Sequence, residues 1–310
     1  MKKALVLGAT GSMGNALVNA LTRRNIPTIA FSRSLNKLEE YKKDWNPSVE
    51  LFAGDALKKT DIEKAIANAD YIFHAINVPY QDWQDQLKPL LLNILHECRK
   101  QNKPFIYVDN IYSYGRQLQK TTELAIKQPH TKKGKLRLQL LKEIEASGVS
   151  YLIAHFPDFY GPKAGNTLLQ YTFEQVLKKK SGGFIGDLTI PREFIYVKDG
   201  AEALVDLAMH EGAYGETWNI PGAGTITGRE IQQILSEYFG CDIRLSRIHK
   251  WMIQAIGLFQ PFMREYVEMM YLNETPVILD GIKFETRIGQ ISKTPYELGI
   301  KETLNEMRKN

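Results

Sequence analysis

The sequence is poor in cysteine and contains no long apolar run. Only two of its 310 residues are cysteines, and Cys98 and Cys241 lie far apart without the Cys-x-x-Cys spacing of a zinc site. This pattern excludes a disulfide framework and fits a reducing compartment. The apolar stretch WMIQAIGLF at 251–259 is about half as long as a membrane-spanning helix, so we expect no membrane partner.

The charges are nearly balanced and widely spread. The chain has 40 basic and 35 acidic residues, which leaves a net charge of +5 without a block of like charge, so a nucleic-acid partner is not expected. The six histidines are scattered and no serine occupies a nucleophile elbow; we therefore expect neither a metal site nor a covalent triad. The opening run MKKALVLGATG ends in glycine, which is typical of a strand rather than a signal peptide. We expect a cytoplasmic protein, and a homodimer remains open.

Short β-branched runs alternate with helical patterns through the first half of the chain. The strand-like runs are KALVLGA, TIAFSR, VELFAGD, YIFHAI, PFIYVDN and SYLIAHF. This rhythm predicts an α/β fold of Rossmann type, a doubly wound parallel sheet covered by helices on both faces. We assign residues 1–156 to this domain, with 191–220 returning to it. Residues 157–190 and 221–310 are assigned to a smaller, mostly C-terminal lobe.

A glycine-rich turn, GATGSMG, follows the first predicted strand and precedes an amphipathic helix over residues 13–24. A dinucleotide diphosphate needs one glycine for the tight turn, one so that the backbone can approach, and one for packing of the helix on the strand. The backbone N–H groups at the helix start then face the anion. The turn residues expected to contact the cofactor are Gly8, Thr10, Gly11, Ser12, Met13 and Gly14.

The end of the second strand selects between the two dinucleotides. An acidic residue there would bind the ribose 2′-hydroxyl of NAD, whereas AFSRS supplies Ser32 and Arg33, a hydroxyl and a fork of N–H donors that suit a 2′-phosphate. These residues favour NADP(H), with NAD(H) as the alternative. Arg33 is also explained as an ordinary solvated arginine.

Two further strand ends supply expected cofactor contacts. Asp55, followed by Ala56, closes the third strand, where its carboxylate can accept from an adenine amino group or cap a turn. The fourth strand ends in HAINVPY, in which Ala75 leaves room for the cofactor backbone while His74 and Asn77 are expected to face it. His74 is equally well explained as a structural histidine.

With these residues in place, the sequence resembles the short-chain dehydrogenase/reductase superfamily, and within it the extended and atypical branch known as NAD-dependent epimerase/dehydratase. The resemblance covers most of the chain. It depends on GATGSMG, AGDA, HAINVPY, YVDNIYSYG, HFPDFYGP and REFIYVKDGAEAL, in the order and spacing of the extended members. The first motif is shared by many dinucleotide binders, whereas the later ones are more specific to this branch.

The resemblance also implies a catalytic serine, tyrosine and lysine, and two of these residue types are replaced here. Alignment brings Asn110 to the serine, Thr131 to the tyrosine and Lys135 to the lysine, and Tyr-x-x-x-Lys occurs nowhere in the chain. A threonine hydroxyl is too weak an acid to relay a proton at neutral pH, but the Asn110 amide keeps an N–H donor that can polarise an oxygen. The resemblance implies that Lys135 binds the nicotinamide ribose; it is otherwise part of a solvated basic helix start.

Another group must supply the proton if the chain catalyses hydride transfer. The candidates are Tyr112, Tyr80, Asp109, Tyr160 and water. Tyr112 and Tyr80 belong to motifs next to the expected nicotinamide, although each is also explained as a packing residue. Phe156 and Pro157 end the sixth strand and are expected to border the nicotinamide, because ligands bind at the carboxyl ends of such strands.

The predicted lobe is apolar and aromatic, and most of its rings are expected to form core. They are Phe159, Tyr160, Phe173, Phe184, Trp251, Phe259, Phe262 and Tyr266. Arg192 lies near the position where the resemblance implies binding of the anionic part of a nucleotide-sugar substrate.

Three functions are compatible with these residues. The first is an NADP(H)-dependent oxidoreductase that acts on a carbonyl or activated double bond of a small molecule, which the sequence does not identify. The second is a dinucleotide-binding sensor or scaffold without catalysis. Nucleotide-sugar epimerisation is the third and the least expected, because it normally depends on the missing tyrosine.

Overall fold

The computed structural model describes residues 2–165, 167–258 and 261–309, with the side chains of all of these except 256 and 261–263. Phe259 and the side chain of Phe262, which the sequence assigns to the lobe, lie outside the described residues. The strands are β1 (Ala4–Leu7), β2 (Thr28–Ser32), β3 (Glu50–Ala53), β4 (Tyr71–His74), β5 (Phe105–Asn110), β6 (Tyr151–Phe156), β7 (Asp158–Tyr160), β8 (Ser181–Ile185), β9 (Arg192–Tyr196), β10 (Glu216–Asn219), β11 (Thr225–Ile226) and β12 (Arg244–Ile248).

The α-helices are α1 (Ser12–Arg23), α2 (Leu35–Lys42), α3 (Lys59–Ala67), α4 (Trp83–Lys100), α5 (Lys132–Glu145), α6 (Leu168–Lys179), α7 (Val197–Met209), α8 (Gly228–Phe239), α9 (Lys250–Gly257), α10 (Pro261–Tyr266), α11 (Ile282–Arg287) and α12 (Tyr296–Met307). Short 3₁₀ turns occupy Tyr80–Asp82, Tyr112–Tyr114, Glu211–Ala213 and Val267–Asn273. Within the described residues no helix combines the length and the apolar character needed to cross a bilayer.

The main sheet has seven strands in the order β10-β6-β5-β4-β1-β2-β3. Every neighbouring pair in it is parallel. The predicted α/β doubly wound fold is therefore confirmed. The order reverses between β1 and β4, which creates the crevice where ligands of open parallel sheets bind.

Alternating side chains of the inner strands explain why both faces of the sheet are covered. Leu5 and Leu7 of β1 point into an apolar cluster that includes residues of α3, α4 and α5. Ala4 and Val6 point into a second cluster that includes residues of α1, α2 and α7. Since successive strand residues face opposite sides, a strand that is apolar at every position must lie between two layers of helices.

The smaller lobe contains a three-stranded sheet, β11-β9-β7, and a parallel pair, β12-β8. A third apolar cluster of α6, α8, α12 and these strands forms its core, with Phe173 and Phe184 among the buried rings. The predicted return segment 191–220 is divided between the two parts. Its β9 joins the lobe sheet, whereas α7 packs on α1 and β10 extends the main sheet.

Candidate dinucleotide and active site

At the switch point of the sheet, the backbone after β1 and the backbone after β4 approach each other closely. Gly8 directly follows β1 and has a φ of +86°, and a Cβ there would lie 2.8 Å from the carbonyl oxygen of Ala75, which follows β4. The positive φ and the contact both require glycine. Ala75 donates its N–H to Leu7 over 2.9 Å, so the start of HAINVPY is fixed beside the glycine turn.

The first turn of α1 is open to an anion. A Cβ on Gly14 would lie 2.1 Å from the Gly8 carbonyl oxygen, so only glycine allows the helix to begin this close to the strand. No side chain caps the helix and its first turn contains no acidic residue. The N–H groups of Ser12, Met13 and Gly14 have no acceptor among the described residues, and unpaired N–H groups at a helix start attract phosphate.

The side chains around this turn take separate roles. The Ser12 hydroxyl donates to the Gly165 carbonyl over 3.4 Å, which brings a loop of the lobe over the turn. The Met13 side chain is buried in the core, so it offers a ligand its backbone only. Thr10 and Ser32 share a hydrogen bond of 3.0 Å between their hydroxyls, which fixes the end of β2 against the glycine turn.

The arginine at the end of β2 has no internal partner. Arg33 is exposed, and no hydrogen bond, ion pair or ring contact engages it within the described part of the chain. Its guanidinium therefore keeps all its donors for a ligand or for water. The adjacent Ser34 has a different role, since its hydroxyl caps α2 by accepting from the Lys37 N–H.

Asp55 lies in a turn at the end of β3. Its Oδ1 accepts from the Leu57 N–H over 3.0 Å, which is the turn-capping role that the sequence allowed. Ala56 is buried beside it. One carboxylate oxygen of Asp55 thus stabilises the turn, and the residue is only half-buried at the edge where the cofactor is expected.

His74 is part of the core. Its ring centroid lies 5.2 Å from that of Tyr107 and 5.7 Å from that of Phe105, both of β5. Burial lowers the pKa of His74 to about 3, so the ring is uncharged at neutral pH. Its Nδ1 has no hydrogen-bond partner among the described residues, and its edge-on packing against two rings fits a structural histidine.

Asn77 accepts a hydrogen bond from a buried arginine of α5. Arg137 donates from Nη2 to Asn77 Oδ1 over 3.2 Å. Its Nη1 donates to the Tyr107 hydroxyl over 2.9 Å and to Asp109 Oδ1 over 3.2 Å. The guanidinium also lies 4.3 Å from the centre of the Trp83 ring. These contacts hold Arg137 in one conformation beneath the ends of β4 and β5.

Asn110, the residue at the serine position, ends β5 with its amide oriented. Its Oδ1 accepts from the Tyr112 N–H over 3.0 Å. Its NH₂ group has no acceptor within the described residues. The neighbouring His155 Nδ1 lies 3.1 Å from the Asn110 carbonyl oxygen and 3.2 Å from Asp109 Oδ2. Both atoms are acceptors, so His155 carries its proton on Nδ1.

The residues of helix α5 that face the interior are not the ones aligned with the catalytic tyrosine and lysine. Thr131 caps the helix, because its hydroxyl accepts from the Gly134 N–H over 3.1 Å. Lys135 is exposed and makes no hydrogen bond or ion pair within the described chain. Lys133 and Arg137 are instead buried at 5% exposure each. The sequence prediction passed over these two cations, which share one face of the helix.

Lys133 is held by two carboxylates of the lobe. Its ammonium lies 2.6 Å from Glu265 and 3.0 Å from Glu268. Glu268 also accepts from the Lys132 N–H over 2.7 Å. The segment around α10 is thereby attached to the first turn of α5, and it closes this side of the site.

Two tyrosines meet where the main sheet faces the lobe. The Tyr80 and Tyr112 hydroxyls are 2.7 Å apart. Burial raises the pKa of Tyr112 well above its usual value, and burial likewise raises that of Tyr80. Both hydroxyls therefore keep their protons at neutral pH, and they can donate hydrogen bonds but are weak acids. Tyr160 lies in the lobe core, where its ring stacks on Tyr296 and packs against the tilted ring of Tyr196.

Arg192 is buried at 4% exposure and paired with Asp158 over 2.9 Å. It also donates to the Ile185 carbonyl oxygen over 3.4 Å. Burial raises the pKa of the Asp158 carboxyl, and the ion pair opposes that rise. Phe156 and Pro157, which precede Asp158, are buried, and the Phe156 side chain packs in the cluster that includes α1 and α7.

Sequence reasoning missed the buried ion pair of Lys133 and the pairing of Arg137 and His155 with Asp109. Helical periodicity contained a signal for the first two. Leu140, Leu141 and Ile144 form the apolar face of α5, and steps of three or four residues back from it reach 137 and 133. A lysine and an arginine at these positions indicate a solvated face, so periodicity alone does not predict their burial.

A seven-stranded parallel sheet with a glycine-lined, uncapped helix start at its switch point defines a Rossmann-type protein of the extended short-chain dehydrogenase/reductase kind. A family model described as the NAD dependent epimerase/dehydratase family matches residues 4–221. The chain belongs to the NAD-dependent epimerase/dehydratase family.

Known proteins of similar sequence and fold agree with this assignment. A UDP-glucose 4-epimerase of Rickettsia bellii is 32% identical over 80 residues, which span 24% of this chain and 24% of that protein. A UDP-glucuronic acid 4-epimerase of Bacillus cereus, solved with NAD, superposes with a TM-score of 0.79 at 19% identity over 99% of both chains. A dTDP-glucose 4,6-dehydratase of Bacillus anthracis, solved with NAD, gives 0.81 at 18% identity over 100% of this chain and 97% of the other. At such identities the likeness is one of fold.

Proposed function

We propose that the protein is an NADP(H)-dependent oxidoreductase with an atypical active site, which moves a hydride to or from a carbonyl or activated double bond. The open helix start at Gly8 and Gly14 is the observation that carries this proposal. The unpaired N–H groups of Ser12 and Met13 at this helix start fit a diphosphate. The two glycines are required for this close approach, because a β-carbon at either one would collide with backbone.

The residues that would hold the cofactor follow the edge of the sheet. The turn from Gly8 to Gly14 would bind the diphosphate, Asp55 would accept from the adenine amino group, and Ala75 would leave room for the cofactor backbone. Lys135, exposed and without an internal partner, is available to the nicotinamide ribose. When bound, the nicotinamide ring supplies the hydride chemistry that no side chain of the protein can perform.

Arg33 supports NADP(H) over NAD(H). The solved relatives named above contain NAD, so the choice depends on this chain's own residues. An exposed arginine without an internal partner matches a 2′-phosphate. We expect Arg33→Ala to weaken NADPH binding by about tenfold or more, the usual loss for a charge-assisted hydrogen bond. Binding of NADH, which has no 2′-phosphate, should stay as in the unmodified protein, and an equal loss for both dinucleotides in calorimetry would refute this role.

The reacting oxygen would be polarised by neutral donors. Asn110 directs its NH₂ group away from the Tyr112 N–H that occupies its oxygen, and an amide donor can stabilise charge that develops on a carbonyl oxygen. The Tyr112 hydroxyl is protonated at neutral pH, and it would supply a second hydrogen bond when the Tyr80 hydroxyl is the donor in the bond that the two tyrosines share. Thr131 supports the site by starting α5.

Turnover is the test of the catalytic part. NADPH oxidation would be followed against a panel of carbonyl compounds, with Asn110→Ala and Lys135→Ala beside the unmodified protein. We expect Asn110→Ala to lower kcat by about tenfold to a hundredfold and Lys135→Ala to raise the KM for NADPH. Tight NADPH binding without turnover on any carbonyl would count against an oxidoreductase.

A dinucleotide-binding sensor is the second candidate, and one observation favours it. The ion pairs of Lys133 with Glu265 and Glu268 close the site from the lobe side, and the nearby tyrosine hydroxyls are weak acids. Such a protein would change its affinity for a partner when it binds NADP(H). Pull-downs with and without NADPH that recover the same proteins would dismiss this candidate.

A further inference from the structure

The buried cations of helix α5 repeat the spacing of the catalytic pair that the chain lacks. The resemblance implies a tyrosine and a lysine four residues apart. Lys133 and Arg137 are also four residues apart and both are buried, and residues at this spacing lie on the same face of a helix. Thr131 and Lys135, by contrast, lie on the helix cap and on the exposed side. The pair with the required spacing that faces inward is therefore Lys133 and Arg137.

Helix α5 begins at the carboxyl ends of the central strands. Its Arg137 binds Asp109, the last residue but one of β5. A Cβ at Gly134 would lie 2.7 Å from the carbonyl oxygen of Tyr112, so glycine allows the helix to pack closely on the turn that follows β5. Lys133 directly precedes this glycine. The first turn of α5 therefore lies at the edge where ligands of parallel sheets bind.

The Lys133 ammonium keeps one N–H group for a ligand. An ammonium has three donors, and two of them go to Glu265 over 2.6 Å and to Glu268 over 3.0 Å. The third has no hydrogen-bond acceptor among the described residues, and the ammonium lies 5.3 Å from the centre of the Tyr80 ring. The Tyr80 hydroxyl in turn bonds to that of Tyr112 over 2.7 Å. A buried cation with an unused donor thus lies beside the tyrosine pair.

Reduction of a carbonyl group requires a proton for its oxygen. The alkoxide that forms is a far stronger base than an amine, so a lysine ammonium in contact with it serves as general acid. Burial raises the pKa of Tyr80 and of Tyr112, and both hydroxyls are therefore weaker acids than an ordinary tyrosine. The carboxylates of Glu265 and Glu268 are 33% and 27% exposed, so the ammonium that they bind is connected to solvent water.

We propose that Lys133 is the general acid of this protein, in place of the tyrosine that the chain lacks; the assignment rests on the proposed oxidoreductase function. As the hydride supplied by the reduced dinucleotide adds to the carbonyl carbon, the electron pair of the C–O π bond moves to the oxygen. An N–H bond of Lys133 then breaks and its proton forms the new O–H bond, which leaves an alcohol and a neutral amine. The amine regains a proton from water.

Lys133→Arg separates proton donation from the ion pairs. A guanidinium keeps the positive charge that faces Glu265 and Glu268, but it does not release a proton in proteins. Lys133→Met and Lys133→Gln remove the charge, and the glutamine can still donate hydrogen bonds to the two carboxylates. Lys88→Arg is the matched control, because Lys88 of α4 also pairs with a carboxylate over 2.6 Å, that of Glu143 in α5.

The first readout is a single turnover with 4-nitrobenzaldehyde, an uncharged aldehyde, followed through the absorbance of NADPH. We expect Lys133→Arg to slow this reduction by about a hundredfold or more, the usual contribution of a general acid. Lys88→Arg should react like the unmodified protein. A purely structural role of Lys133 predicts instead that the arginine, which keeps the charge between the two carboxylates, also keeps the rate.

The second readout needs no turnover. 4-Nitrophenolate has a negative oxygen like that of the alkoxide, and its dissociation constant would be measured by absorbance titration with NADP⁺ present. We expect Lys133→Met and Lys133→Gln to weaken its binding by about tenfold or more, the usual loss of a charge-assisted hydrogen bond. Lys133→Arg should keep most of the affinity, since a guanidinium also donates to an anionic oxygen.

The two readouts decide the proposal together. It is overturned if Lys133→Arg reduces the aldehyde like the unmodified protein, if Lys133→Met and Lys133→Gln bind nitrophenolate like the unmodified protein, or if the unmodified protein does not bind nitrophenolate. The titration decides alone if the aldehyde does not react. Calorimetry with NADPH on the same samples separates the two levels, because absence of NADPH binding by the unmodified protein would defeat the proposed function itself.

Discussion

At the scale of single residues, the glycines of the first turn are set by contacts with backbone. A Cβ at position 14 would lie 2.1 Å from the Gly8 carbonyl oxygen, and at position 11 it would lie 3.3 Å from the same atom. The first distance forces strand and helix apart, whereas the second asks for a small adjustment. The two positions should therefore differ in their tolerance of alanine.

We predict that Gly14→Ala lowers the free energy of unfolding by about 1–3 kcal/mol and abolishes measurable NADPH binding, because the helix start moves away from the diphosphate position. Gly11→Ala is the comparison and should be the milder change in both respects. Urea denaturation and calorimetry check the pair. Equal effects of the two substitutions would show that the close approach at Gly14 does not determine the turn.

A buried carboxylate makes the lobe sensitive to pH. Glu193 of β9 accepts from the Gly222 N–H over 3.2 Å and from the Leu279 N–H over 2.8 Å, so it joins two loops. Burial raises the pKa of Glu193 to about 7, although the two N–H bonds oppose the rise. The folded protein thus binds a proton there that the unfolded chain releases near its ordinary pKa of 4.5.

A raised carboxyl pKa contributes stability that is present below pH 4.5 and lost as the pH rises through about 7. We predict that the contribution of this group falls by about 3 kcal/mol across that window. Glu193→Gln should remove this part of the pH dependence, whatever its effect on overall stability. Urea denaturation at several pH values would measure it, with the exposed Glu39→Gln as control. Parallel pH profiles for the unmodified protein and Glu193→Gln would contradict the prediction.

At the scale of elements, helix α5 shows where sequence reasoning reached its limit. Alignment by resemblance selected Thr131 and Lys135, which lie on the cap and on the exposed side. The inward positions are 133 and 137, because the apolar face of the helix continues through them. A lysine and an arginine are acceptable there only because carboxylates of other elements meet them. Those partners are distant in sequence, so local patterns cannot reveal them.

Thr131 should matter for the helix it starts. We predict that Thr131→Ala lowers the free energy of unfolding by about 1 kcal/mol, the usual effect of a lost N-cap. Thr131→Ser keeps the hydroxyl and should retain most of that stability. Urea denaturation of both variants gives the answer; equal losses would mean that the bond to the Gly134 N–H does not stabilise α5.

At the scale of the whole molecule, the repeated alternation of strands and helices was predictable from the sequence, whereas the pairing of strands far apart in the chain was not. The runs from β1 to β6 alternate with amphipathic helices, which is enough to predict a parallel sheet with helices on both faces. The glycine turn could be assigned with them, because it depends on neighbours in sequence. By contrast, β10 pairs with β6 as the seventh strand and β9 leaves for the lobe sheet. Both pairings depend on contacts with the lobe, whose strands are too short to show a clear hydrophobic pattern in the sequence.

The central claim is that the open start of α1 holds a nicotinamide dinucleotide. Isothermal titration calorimetry of the unmodified protein with NADP⁺, NADPH, NAD⁺ and NADH tests it most directly. The account predicts saturable heat with the NADP pair and weaker binding of the NAD pair, because only the NADP pair carries a 2′-phosphate that Arg33 can bind. No heat with any of the four dinucleotides would contradict it.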